Sequence, residues 1–162
     1  MKIVKGILIF LLLALIVIQF IPVEKNKSEN VNPDMAFTNI YDVPEKVELT
    51  LNTSCFDCHS NNTEYRWFDE IQPVRWYIED HIQEGKEELN FDEFGTYSQK
   101  KRAHKIEEVV EMVEDGEMPL SSYTWVHPDT RLNDREKEEL ITWFKSLSKK
   151  EEAINEDEHN HN

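Results

Sequence analysis

The chain has 162 residues, of which 33 are Asp or Glu and 18 are Lys or Arg, giving a formal charge of −15 at pH 7. Phosphate backbones and anionic headgroups need clustered cations, so this balance excludes nucleic acid as a partner and argues against adsorption of the folded part to lipid. The acidity serves solubility or steers a basic partner. Apolar residues make up 39% of the chain, and an N-terminal run takes many of them, so what remains can build one small domain with a thin core.

In chain order, Lys2 and Lys5 precede an apolar run over residues 6–23 whose one interior polar residue is Gln19. The run predicts a single N-terminal transmembrane helix over 1–23, since spanning takes about 17–25 residues. A cleaved signal peptide has the same positive flank, but no small-x-small site follows and no cysteine near its end could carry a lipid. The positive end stays inside, which places the rest on the extracytoplasmic side of the cytoplasmic (inner) membrane as a single-pass protein. Residues 24–40 read as a linker or extended arm.

Helical patterns fill 41–148, and strand patterns are poor throughout. Pro44 opens a first helix carrying Val47, Leu49 and Leu51. Pro73 starts a second with Val74, Tyr77, Ile78 and His81 or Ile82 at three-and-four spacing, ending near Gly85. Ser98 caps a third, striped by Ala103, Ile106, Val109, Val110 and Val113 and closed by Gly116. Asn133, with Glu136 three residues on, caps a fourth that carries Leu140, Ile141, Trp143, Phe144 and Leu147. Residues 60–72 and 117–132 read as loops. Residues 149–162 form a charged, disordered tail, where His159 and His161 are too exposed to hold a metal ion well.

The chemistry lies in Cys55-Phe56-Asp57-Cys58-His59. C-x-x-C-H is the pattern for covalent haem attachment. Two thiols one turn apart can reach the two vinyl groups of a porphyrin, and the histidine that follows can meet the iron. A thiol redox pair would sit after a strand in a βαβ unit, a zinc site would need a second ligand pair, and a disulfide closing so short a loop adds little stability. None of these uses the histidine. For the second iron ligand, Met118 is favoured: Gly116 precedes it, and Pro119 stops helix formation and holds the chain extended. Met112 fits core packing. His81, His104 and His127 are rival ligands, and an open site is the remaining alternative. Trp67, Phe68, Trp76, Tyr77, Tyr123, Trp125, Trp143 and Phe144 could wall a haem or simply pack a core. Arg66 and Arg75 read as solvated charges before they read as propionate partners.

Three stretches carry a family resemblance: CFDCHSNNTEYRW at 55–67, IQPVRWYIEDHIQEGKEELNF at 71–91, and FGTYSQKKRAHKIEEVVEMVEDGEMPLSSYTWVHPDTRL at 94–132. Over residues 40–147 the chain resembles the bacterial haem-binding domain related to class I cytochromes c. The resemblance implies an attached haem with His59 as proximal ligand and, by similarity to those cytochromes, Met118 as distal ligand. It carries over no pathway or partner.

The expectation is therefore an all-α, small cytochrome c-like helical domain behind a transmembrane helix. It binds one covalent haem c per chain through Cys55, Cys58, His59 and Met118. Its expected work is single-electron transfer with a redox protein partner, a basic one by charge, rather than catalysis. A peroxidase-type enzyme, with His104 or Glu117 as acid-base group, or a haem-based ligand sensor would need an open distal site.

Overall fold

The computed structural model describes residues 1–160, with side-chain surroundings given as far as Glu151. His159 and His161, weighed above as metal ligands, lie outside the residues whose side chains are described. Among the described residues every regular element is helical, apart from one antiparallel bridge between Lys27 and Asn62. The α-helices are α1 (Lys2–Ile18), α2 (Phe37–Ile40), α3 (Glu45–Ser54), α4 (Phe56–His59), α5 (Val74–Glu88), α6 (Gln99–Glu114), α7 (Ser121–Val126) and α8 (Asp134–Asn160).

The N-terminal helix corrects the membrane expectation. No helix among the described residues is long and apolar enough to cross a membrane. α1 has 17 residues, about 26 Å at 1.5 Å per residue against a hydrocarbon core of about 30 Å. Its first turns are spent on Lys2 and Lys5, and it ends at Gln19. There the chain turns back onto the domain: the Gln19 amide donates to the Gln72 carbonyl at 3.1 Å and accepts from the Gln72 N–H at 3.0 Å. The transmembrane helix, and the single-pass placement in the cytoplasmic membrane built on it, are not supported.

The 24–40 segment is tied to the rest of the domain, most firmly at Asn26 and Phe37. Asn26 is buried. Its amide donates to the Ser60 carbonyl at 2.8 Å and to Thr63 at 2.9 Å, while its side-chain oxygen accepts from Lys86 at 2.8 Å. These bonds satisfy a polar group that burial would otherwise penalise. Phe37, fully buried, is ringed by Tyr41, Phe91, Phe94, Trp143 and Phe144, with centroids 5.0–5.8 Å away. Edge-on and stacked arrangements of this kind add to the area they bury.

α6 packs along α8. Ser98 caps α6 by accepting from the Lys101 N–H at 3.3 Å, and Ile106, Val110 and Val113 are its buried residues. A reciprocal box starts α8, with Asn133 accepting from the Glu136 N–H and Glu136 from the Asn133 N–H. Leu140, Phe144 and Leu147 bury its inner face, each worth about 1.5–3 kcal/mol when fully removed from water. α8 continues to Asn160, past the point at which the sequence predicts a tail. The 117–132 stretch, expected as a loop, holds α7 and a 3-10 turn at Pro128–Thr130.

Candidate functional site

The site begins where α3 stops. Cys55 leaves helical geometry, at φ −125° and ψ −45°, and serves as both the end of α3 and the start of α4. Its carbonyl accepts from the N–H groups of Cys58 at 3.2 Å and His59 at 3.0 Å, so Cys55 to His59 wind into a single turn. The two intervening residues have separate contacts. Phe56 packs its ring 5.2 Å from Phe91, while Asp57 accepts from the Glu64 N–H at 2.8 Å. Both cysteines are free thiols. Burial pushes each up to about 12, with the neighbouring Cys58 adding for Cys55 and the Asp57 carboxylate for Cys58. A redox-active pair needs a thiol shifted the other way.

His59 is held by α5. Its Nδ1 lies 2.9 Å from the Gly85 carbonyl and 2.9 Å from the Leu89 carbonyl. Carbonyls only accept, so Nδ1 carries the proton and Nε2 keeps its lone pair free to ligate. Burial pushes the imidazole pKa down, against the two carbonyls, with Lys105 adding to the fall. The neutral ring is the form that binds a metal. The contact requires the two backbones to approach closely: a Cβ on Gly85 would lie 2.9 Å from the Cys58 carbonyl oxygen. Gly85 thus serves packing rather than ending α5, which runs three residues further.

Met118 is placed by the end of α6. Gly116, at φ +73°, donates to the Val113 carbonyl at 3.2 Å, and Glu117 to the Met112 carbonyl at 2.9 Å. This is the Schellman arrangement, which only glycine enters without strain. Met118 N–H shares the Met112 carbonyl at 3.0 Å, and the Met118–Pro119 peptide is cis.

These segments meet in a mostly apolar cavity of about 370 Å³ lined by Cys55, His59 and Met118, within the range of about 300–1,000 Å³ usual for cofactor sites. Cys58 is not in the lining. None of the rival histidines lines it. His81 bonds its own helix at the Tyr77 carbonyl, His104 faces Glu108 at 3.3 Å, and His127 is buried against Asp69 at 3.0 Å. Glu117 is also outside the lining.

Two residues of the lining that sequence reasoning did not assign to the site stand out for their chemistry. Met112 faces the cavity instead of filling the core, and Lys105 is the one cation in the lining, bonded to Glu108 at 2.6 Å and Glu88 at 3.2 Å. The signal was present: Lys105, Glu108, Val109 and Met112 fall at i, i+3, i+4 and i+7, a second face of α6 beside its core stripe. Arg66 instead pairs with Asp129 at the surface, whereas Arg75, expected as a solvated charge, is largely buried beside Glu79 and donates to the Val23 carbonyl at 2.7 Å. Trp67 and Trp125 are exposed, and Trp143 belongs to the ring cluster around Phe37.

The donor set fits an iron porphyrin: an apolar slot, a neutral imidazole with a free Nε2, a thioether, and a thiol at the edge. It does not fit a bare ion, since no group of three or more His, Cys, Asp or Glu converges among the described residues. A family model described as a haem-binding domain matches residues 13–146. No curated protein and no solved structure matches the chain.

Proposed function

The chain belongs to the haem-binding domain family, and from that premise we propose that it is a mono-haem c-type cytochrome that transfers single electrons. Cys55 and Cys58 would hold the group through thioethers, and His59 and Met118 would ligate its iron. Haem so bound supplies a ferric–ferrous couple, and a methionine ligand sets it at a higher potential than a second histidine would. The reading is carried by one observation: His59, its Nδ1 engaged by two carbonyls, lines the same apolar cavity as Cys55 and Met118.

The chain's own groups serve that role. The carbonyls of Gly85 and Leu89 fix the tautomer and the plane of His59 and make it a stronger donor. Val109, Val113 and Leu132 give the cavity apolar walls, which suit the flat apolar face of a porphyrin. Glu88, Glu108 and Glu111 line it beside the single Lys105. A partner with a basic surface suits this acid side, and attraction across it raises encounter rates at low salt.

The test is the absorption spectrum of the chain produced with haem-attachment machinery, followed by acid–acetone extraction. Haem that resists extraction, and becomes fully extractable in the Cys55→Ser/Cys58→Ser double variant, supports covalent attachment. Haem that extracts freely from the parent chain refutes it. Electron exchange with a cationic ruthenium ammine should slow as salt rises, while exchange with ferricyanide should quicken. The opposite order refutes the acid docking side.

A further inference from the structure

Asp57, between the two cysteines, is hydrogen-bonded to the segment that follows Met118. The Tyr123 hydroxyl donates to Asp57 Oδ2 at 2.8 Å. Asp57 is itself held, because its Oδ1 accepts from the Glu64 N–H at 2.8 Å and its carbonyl accepts from the Thr63 hydroxyl at 2.5 Å. Tyr123 is held as firmly from behind. Its ring stacks on His127 at 4.1 Å and 17°, and the fully buried His127 is bonded in turn to Asp69. Tyr123 and Met118 are joined by a short stiff piece of chain, Pro119 and then the first turn of α7, where the Tyr123 N–H donates to the Leu120 carbonyl at 3.0 Å.

We infer that the Asp57–Tyr123 hydrogen bond is a latch that holds the Met118 segment against the turn carrying His59, making both positioning residues for the distal ligand. The inference rests on the ligand reading above. Upstream, Met118 hangs from the end of α6; downstream, the latch ties it to the attachment turn itself. Releasing the latch frees the segment to swing, so an exogenous ligand can compete with the thioether.

The experiment uses the full chain with haem attached and compares Tyr123→Phe, Asp57→Ala, Asp57→Asn and Met118→Leu. Tyr123→Phe keeps the ring on His127 and loses only the donor. It should weaken the long-wavelength sulfur-to-iron band of the ferric form, lower the midpoint potential, and speed carbon monoxide binding to the ferrous form about tenfold, the scale of a hydrogen bond to a charged acceptor. Asp57→Ala should do the same, and Asp57→Asn, which keeps an acceptor, should stay close to the parent. A merely structural contact would lower the melting temperature and leave all three readouts in place. If Asp57→Ala does not fold, Tyr123→Phe and Asp57→Asn still decide. A full band and parent binding rate in Tyr123→Phe, with the band lost in Met118→Leu, overturn the latch alone. A band indifferent to Met118→Leu overturns the ligand reading and the latch together.

Discussion

The two segments proposed to offer iron ligands are held in different ways. His59 is fixed by long-range contacts: two carbonyls of α5 and its end grip one ring nitrogen, and α5 lies so close to α4 that no side chain fits between them at Gly85. Met118 is fixed upstream by its own neighbourhood, through the cap at Gly116 and one carbonyl six residues back, with open space around the glycine, and beyond it the Asp57–Tyr123 bond ties its segment to a distant part of the chain. The histidine side is set by packing, and the methionine side by local backbone conformation and a long-range hydrogen bond. Packing is stiff, and a loop end is soft. Under the proposed ligation, ligand exchange and tuning of potential would therefore belong to the methionine side.

Two glycines separate these mechanisms. Gly85→Ala should have the largest effect, because the group that its Cβ would meet is backbone and cannot turn away. Overpacking of this kind costs about 2–3 kcal/mol, read as a lower midpoint in urea unfolding, and it should loosen His59. Stability equal to the parent's would show that α5 is not seated on α4 as described. Gly116→Ala meets no neighbour, so its cost is conformational alone, about 1 kcal/mol for an L-residue at positive φ. It should weaken the sulfur-to-iron band more than it weakens the fold. The reverse ranking of the two variants would break the contrast.

The smallest effect concerns the scaffold on the histidine side. Tyr65 donates to Glu79 on α5 and accepts from the Asn26 N–H. Burial, then the hydrogen bond to Glu79, pushes its phenol up to about 12. A raised pKa means that the neutral form is the one stabilised. The contribution is complete below the ordinary value of 10.0 and is lost as pH rises through about 12. Urea melts between those limits should fall more steeply for the parent chain than for Tyr65→Phe; equal slopes would remove Tyr65 from the scaffold.

Local signals were the legible ones. Ser98, Gly116 and the Asn133–Glu136 box mark the ends of α6 and α8 because caps are written within four residues of one another. The single turn from Cys55 to His59 was legible for the same reason, as was the glycine cap that precedes Met118. Contacts between distant residues were not. Nothing near Asn26 announces that its amide reaches Ser60 and Thr63, and nothing near Phe37 predicts five aromatic neighbours. Gly85 resembled a helix end because a close approach between backbones leaves the same residue in the sequence. Composition misled at α1, where apolarity outran the length of helix the chain forms.

The ring stack around Phe37 bears on the order in which the molecule is made. Synthesis delivers Phe37 first, then Cys55 and Cys58, then Phe91 and Phe94, and only near the end Trp143 and Phe144. Contacts between such distant points form late, after the intervening chain exists. Cys55 leans on this same core. Cys55 and Cys58, half-buried in the finished protein, are thus more open for as long as the stack lacks its last two members, and under the proposed attachment that is when an enzyme would reach them.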